Sequence, residues 1–182
     1  MRILALVTPI LLAGSFAHAA RIAQTTQKII RLCLDTGAIA PSVLAPALGI
    51  TNEVFSRIGI DLKWRSCGAS AEDAVVLRIT GHTPESLLPG ALGYTRLDGS
   101  PRIEVFYDRI LTAVDSARLR SLLGNVMAHE IAHALQGVNH HSSGGLMKAH
   151  WTTKDYEQMS WSALPFAPED IQLIARGVTK GK

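Results

Sequence analysis

The chain has 182 residues, of which 47% are hydrophobic, and 18 Lys and Arg against 15 Asp and Glu give it a formal net charge of +3. This length suits one domain with one substantial core, and the charge is too small and too dispersed to indicate a nucleic-acid-binding protein. The sequence also contains no internal repeat, low-complexity segment or glycine-rich phosphate loop.

The first 19 residues have the pattern of a signal peptide. Arg2 precedes an apolar run from Ile3 to Phe16, and residues 17–19, Ala-His-Ala, form a small-x-small cleavage pattern. The run is too short for a full membrane span, and no second stretch of spanning length follows. We therefore expect a secreted or periplasmic domain, residues 20–182, with no stable membrane span after cleavage; an uncleaved anchor is the alternative.

A parallel strand-helix-strand unit is predicted next along the chain. Ile29 to Leu34 is rich in apolar and β-branched residues, as strands are, and Ser42 to Ile58 repeats apolar residues at helical spacings before Gly59. Ile60 to Trp64 then alternates apolar and polar residues, which is typical of a half-buried strand. We therefore expect the two strands to pair in parallel, with the helix as the connection between them.

The pairing of Cys33 and Cys67 stays open at the level of sequence. An exported chain favours a disulfide between its two cysteines. However, Cys33 falls inside the first strand and Cys67 beyond the second, and the expected register separates them by more than the roughly 7 Å that a bridge allows.

The second half of the sequence is predicted to contain a strand, a hairpin and two helices. The last helix is indicated by Pro168 at its first turn and Gly177 after its end, and a cap at Asp115 or Ser116 begins the preceding helix, which ends near Gly137. The predicted strands are 74–79, 91–97 and 102–107, the last two joined by a turn at 98–101. We expect an α+β single domain with a small mixed sheet.

The segment His129-Glu130-Ile131-Ala132-His133 lies near the end of that long helix. Residues four apart lie on the same helix face, so His129 and His133 can direct ring nitrogens at one ion while Glu130 reaches a water bound to it. A catalytic zinc takes three protein ligands and leaves the fourth position for water. The third ligand must therefore come from elsewhere in the chain.

The sequence after Gly137 offers that ligand. His140 and His141 follow within a few residues, and Gly145-Leu146-Met147 comes shortly afterwards. This arrangement resembles metzincin peptidases, in which a glycine turns the chain so that a third histidine returns to the zinc and a later methionine underlies the site. The resemblance implies a zincin-like fold, a Zn²⁺ cofactor and a peptide or protein substrate.

The match to the metzincin spacing is imperfect. Metzincins place glycine and histidine where this chain has Gln136 and Asn139, so the turn here is one or two residues longer. Counting from the glycine favours His140 as the third ligand. The run from His141-Ser142 to Met147 is similar to small exported bacterial proteins in which the histidine directly before serine is the ligand, so we assign His129, His133 and His141.

Several neighbouring residues have alternative interpretations. Glu157 is a possible third ligand of another class with the His-Glu-x-x-His motif, although a solvated helix surface is its commoner environment. Met147 is expected beneath the zinc or in the core. Asn125 shares the histidine stripe and is equally suited to a packing role.

The residues together predict an exported zinc-dependent peptidase. Glu130 is the catalytic residue, which assists the attack of a zinc-bound water on a peptide bond. Residues 91–95 are a possible edge strand that pairs with an extended substrate. The alternative is a zinc-stabilised binding or structural module without turnover. Substrate preference and oligomeric state are not predicted.

Overall fold

A five-stranded sheet organises the part of the chain that the computed structural model describes, residues 27–68, 74–87 and 89–180. Within these ranges the sheet is accompanied by five helices. The elements in chain order are β1 (Lys28–Asp35), α1 (Pro41–Ser56), β2 (Ile60–Ser66), β3 (Val75–Thr80), β4 (Gly93–Arg96), β5 (Arg102–Phe106), α2 (Tyr107–Ala113), α3 (Leu119–Gln136), α4 (Thr153–Met159) and α5 (Pro168–Lys180).

The sheet is mostly parallel and its strand order is β2-β1-β3-β5-β4. Strands β2, β1, β3 and β5 pair in parallel, and β4 pairs antiparallel with β5 at one edge. The predicted strand-helix-strand unit and the predicted hairpin are both confirmed. The expected single domain with a mixed sheet is confirmed. The edge strand β4 matters most for the site, because it lies against α3.

Helix α3 runs through the core instead of over its surface. Every residue from Leu122 to Gln136 is buried, the polar residues of the His-Glu motif included. Its contact with α1 is close at Gly124, where a Cβ would lie 2.8 Å from the Ala47 carbonyl oxygen. The hydroxyl of Thr51 lies 3.1 Å from the Gly124 carbonyl oxygen across the same contact. The helix that carries the predicted metal-binding motif is therefore packed on all sides by the core.

Cys33 and Cys67 form a disulfide, with Cα atoms 4.8 Å apart. The register expected from sequence is wrong in one respect. Cys33 is aligned with Arg65, so Cys67 lies only two residues further along, just past the end of β2. Its N–H donates to the Leu34 carbonyl oxygen at 3.4 Å, which holds Cys67 beside β1. The bridge thus joins the two adjacent strands β1 and β2.

The predicted boundaries around α3 require correction. The chain enters α2 directly at Tyr107, a helix that the strand prediction did not include. Neither Asp115 nor Ser116 is the N-cap of α3: the cap is Arg118, whose N–H donates to Asp115 Oδ1 at 3.1 Å. The C-terminal end is as predicted, because Gly137 has the left-handed φ of 68° that ends helices.

Gly177 does not end the last helix, as its sequence pattern predicted. It lies inside α5, where a Cβ would overlap the Leu135 carbonyl oxygen near the end of α3. Glycine is required there by the close approach of two helices and not by a left-handed turn. On the same face Ile174 is fully buried, whereas Ile171 is 37% exposed.

The predicted signal peptide, residues 1–19, lies outside the described residues. Among the residues that are described, no helix is long and apolar enough to cross a membrane.

Candidate metal centre

His129 and His133 lie on one face of α3, one turn apart. Their Nε2 atoms are 3.0 Å from each other, and their ring planes are nearly perpendicular. Two ligand atoms at this separation can bind one ion, because zinc–nitrogen bonds are about 2.0–2.1 Å long. The i, i+4 spacing therefore places the Nε2 atoms of the two predicted ligands side by side.

The chain leaves α3 at Gly137 and brings His141 to the same point. The Gly137 N–H completes the last turn of α3 by donating to the His133 carbonyl oxygen at 3.0 Å, and the left-handed φ of Gly137 then redirects the chain. The ring of His141 then lies 5.4 Å from that of His129 and 4.9 Å from that of His133, measured between centroids. One ligand nitrogen from each of the three histidines lies within 4.8 Å of the others.

His140, the other histidine in the turn, is not part of this group. Its Nε2 is buried and has no hydrogen-bond partner among the described residues. Adjacent residues in an extended turn point in different directions, so only one of the two can face the helix. The structure places His141 there.

The main-chain carbonyl of Leu146 orients His129. This oxygen is 2.9 Å from His129 Nδ1 and 3.2 Å from the indole Nε1 of Trp151. An Nδ1–H that donates to the carbonyl leaves the Nε2 lone pair of His129 directed at the metal position. The Trp151 ring also packs edge-on against the imidazole, with centroids 5.5 Å apart.

Hydrogen bonds join the turn that carries His141 to the C-terminal helix α5. The Ser142 N–H donates to the Met147 carbonyl oxygen at 2.9 Å, and Met147 is fully buried. The Ser142 hydroxyl lies 2.9 Å from Oδ2 of Asp170, a fully buried residue in the first turn of α5. The Ala167 N–H donates to the same oxygen at 3.1 Å. His141 is thus supported by α5, a connection with no local sequence signal.

Glu130, which follows His129 on α3, is buried, with 6% of its surface exposed. Its Oε2 accepts a hydrogen bond from Thr95 Oγ1 on β4 at 2.7 Å. Burial raises the pKa of the carboxyl group to about 7, against a smaller lowering by the Thr95 hydrogen bond. A carboxyl group with this pKa can exchange a proton near neutral pH.

Burial has the opposite effect on the histidines. Burial, followed by the neighbouring imidazoles, lowers the pKa of His129 to about 3 and that of His133 to about 4. The pKa of His141 is lowered as well, first by burial and then by His140. Neutral imidazoles are the form that binds a cation, so the described group could hold a metal ion at neutral pH.

Two other residues considered from the sequence lie away from the group. Glu157, on α4, lines a surface depression with Arg118, Arg120 and Trp161, near the opposite end of α3 from the histidines. Asn125 has a structural role: its Nδ2 donates to the Ser121 carbonyl oxygen at 2.8 Å, and its Oδ1 accepts from the Leu164 N–H at 3.0 Å.

Residues 91–95 are predicted from the sequence as a possible substrate-binding edge strand, but neither Gly93 nor Thr95 has an individual role in that prediction, and Trp151 is not identified as a neighbour of the site. The alternation of Gly93 and Thr95 on a predicted edge strand indicates that they share one face. That this face meets Glu130 depends on how β4 packs on α3, which no local pattern reveals.

Comparison with known proteins supports the fold. No protein-family model matches the chain, and a search of curated proteins found no match. Among solved structures, archaemetzincin from Methanopyrus kandleri is similar over 87% of this chain and 99% of its own, with a TM-score of 0.57 and 15% identity. Archaemetzincin from Archaeoglobus fulgidus, crystallised with malonate, is similar over 79% and 99%, with a TM-score of 0.54 and 17% identity. The chain therefore has an archaemetzincin-like fold.

Proposed function

We propose that this protein is a zinc-dependent peptidase. The observation that carries the proposal is the convergence of three histidine nitrogens within 4.8 Å, next to a buried glutamate on the same helix. A structural zinc site needs ligands but has no use for such a carboxylate, whereas hydrolysis needs both. The fold shared with archaemetzincins agrees with this assignment.

The three histidines fit zinc by the chemistry of their donors. His129, His133 and His141 each offer one neutral imidazole nitrogen, and three such ligands leave a position for water. When bound, zinc supplies Lewis-acid chemistry, lowering the pKa of a water molecule and polarising a substrate carbonyl. The hydrogen bond from His129 Nδ1 to Leu146 keeps the correct ring nitrogen directed at the ion.

Glu130 serves as the general base. It follows the ligand His129 directly in sequence, which holds its carboxylate next to the metal position without making it a ligand. With a pKa of about 7, it accepts a proton from the attacking water at a carboxylate oxygen and later returns that proton to the leaving amine.

The substrate is an extended peptide segment. Strand β4 is at the edge of the sheet and lies against α3, so its free side can form backbone hydrogen bonds with a substrate strand. Tyr94, on this strand, is 46% exposed. A peptide bound along β4 would pass Glu130, which Thr95 of this strand contacts.

The protein acts outside the cytoplasm, in the periplasm or the surrounding medium. Two features support this location: the signal-peptide pattern of residues 1–19 and the disulfide between Cys33 and Cys67. Disulfides of this kind persist mainly in oxidising compartments.

The decisive experiment compares the purified wild-type protein with Glu130→Gln. Bound zinc is measured by elemental analysis, and hydrolysis is measured on an unstructured protein and a fluorogenic peptide library. We expect one zinc per chain in both proteins and a rate lower by about 100- to 10,000-fold in the variant. Equal rates in the two proteins would sink the assignment of Glu130.

The same experiment separates the enzyme from a zinc-stabilised binding module. The bonds that join the histidine turn to α5 give some support to the module, because a bound ion would crosslink the C-terminal part of the fold. A module predicts bound zinc and a melting temperature that falls on chelation, with no hydrolysis by either protein.

A further inference from the structure

The edge strand β4 contacts the carboxylate of Glu130 at two points. At the first, Thr95 Oγ1 lies 2.7 Å from Glu130 Oε2 and 2.9 Å from the Glu130 main-chain oxygen. A hydroxyl has one hydrogen to donate, and a bond to a charged acceptor is the stronger of the two choices. Thr95 therefore holds one oxygen of the ionised carboxylate.

The second contact is at Gly93, two residues earlier on the same face of β4. A Cβ at this position would lie 2.7 Å from Glu130 Cγ, 2.8 Å from Oε1 and 2.9 Å from Cδ. Real Cβ atoms do not approach other atoms so closely, so any side chain here would displace the glutamate. The absence of a side chain at Gly93 creates the space that Glu130 occupies.

We propose that Gly93 and Thr95 form a cradle that positions Glu130 for catalysis. The inference rests on the proposed function, for which Glu130 is the general base. Gly93 and Thr95 are positioning residues: they act through Glu130, one by leaving space for its carboxyl group and the other by binding Oε2. Because Glu130 is almost fully buried, these two contacts restrict its rotamers from the side of β4.

The cradle also links substrate binding to catalysis. Strand β4 is the proposed docking edge for the peptide, and two of its residues, Gly93 and Thr95, lie against Glu130. A substrate that pairs with β4 would therefore be aligned with the carboxylate through a shared strand, at a distance set by the strand itself. General-base catalysis is sensitive to displacements of about 1 Å, so small changes in the cradle are expected to affect turnover more than binding.

The test uses the zinc-loaded enzyme with Thr95→Val, Thr95→Ser and Gly93→Ala. Thr80→Val is the matched control, because Thr80 is also a strand threonine, and its hydroxyl forms hydrogen bonds with the nearby His82 backbone. We expect Thr95→Val and Gly93→Ala to lower kcat by about 10- to 100-fold, with KM changed less than about twofold. Thr95→Ser, which keeps the hydroxyl, should recover kcat to within about threefold of wild type.

Three kinetic outcomes would overturn the proposed cradle. These are an unchanged kcat in Thr95→Val, a kcat in Thr95→Ser as low as that in Thr95→Val, and a change in KM without a change in kcat. Zinc content and melting temperature are measured for every variant, and a fall in kcat that only follows zinc loss or unfolding also contradicts the proposal.

A crystal structure of Thr95→Val tests the geometry without reference to turnover. The Glu130 carboxylate is expected to rotate away from β4 once Oε2 loses its donor. An unchanged rotamer overturns the inference even if the protein cleaves no peptide. If wild type and Glu130→Gln prove equally inactive while the rotamer does change, the proposed function fails and the positional role of the cradle stands.

Discussion

The Nδ1 atom of His129 lies 2.9 Å from the carbonyl oxygen of Leu146, which joins the buried helix α3 to a loop 17 residues later. This bond selects the ring nitrogen that faces the metal position, and Trp151 reinforces it by donating to the same oxygen at 3.2 Å. The orientation of a ligand on α3 thus depends on a main-chain atom outside the helix.

Replacing Trp151 with Phe should weaken zinc binding. The change removes the indole N–H but keeps an aromatic ring against His129, so we expect the dissociation constant to rise by up to about 10-fold, at the lower end of what such outer contacts contribute. Competition with a chromophoric chelator measures it. Trp64→Phe is the control, because the Trp64 indole donates to Asn52 at 2.7 Å, away from the site. Equal affinities in the two variants would show that the Trp151 hydrogen bond has no role.

Replacing His141 with Ala should abolish stable zinc binding, whereas His140→Ala should retain one zinc per chain. Two imidazoles from α3 do not complete a three-ligand site, so we expect affinity to fall by more than about 100-fold in the first variant. Elemental analysis after dialysis measures the retained metal. Loss of zinc from His140→Ala, with retention in His141→Ala, would reverse the assignment.

Gly177→Ala should destabilise the fold. The new methyl group would overlap the Leu135 carbonyl oxygen, so α5 must shift away from α3, and we expect a loss of about 1–3 kcal/mol in the free energy of unfolding. Gly49→Ala is the matched control in α1, where a Cβ meets no atom within 4 Å; there the helix should gain about 0.5–1 kcal/mol. Urea unfolding monitored by circular dichroism measures both changes. A neutral Gly177→Ala would contradict the close helix contact.

The metal-free protein should lose stability as the pH falls from about 6.5 to about 4. Burial holds the pKa values of His129 and His133 at about 3 and about 4, below the ordinary 6.5, so the unfolded chain binds more protons in this range. Each net proton lowers the free energy of unfolding by about 1.4 kcal/mol per pH unit.

The contribution of Glu130 to the pH dependence of the free energy of unfolding has the opposite sign. Its pKa of about 7 lies above the ordinary 4.5, so the folded state keeps a proton that the unfolded chain has lost, and this contribution disappears as the pH rises. Metal-free Glu130→Gln should therefore show a steeper dependence than wild type. Urea unfolding with a chelator present, from about pH 4.5 to about 7.5, measures both slopes; a flat profile in both would contradict the buried, neutral imidazoles.

Most of the fold was predictable because its elements have strong local signals. The alternation of Ile60 to Trp64 and the turn at 98–101 led to strands that the structure contains. The wrong predictions concerned the N-cap of α3 and the role of Gly177, because the same residue type is found in more than one structural setting. Gly177 resembles a helix end in sequence, but its role is a close contact with Leu135, 42 positions away, which no local pattern can show.

By itself, the sequence determined that His129, Glu130 and His133 would lie together on a helix, because hydrogen bonds between residues four apart set that geometry locally. Tertiary structure decided the rest. It brought His141 rather than His140 to the other two histidines, paired Cys33 with Cys67, and placed Gly93 and Thr95 against Glu130. Each of these contacts depends on strand register and on the packing of β4 and α5 against α3, which the whole core determines and no short segment encodes.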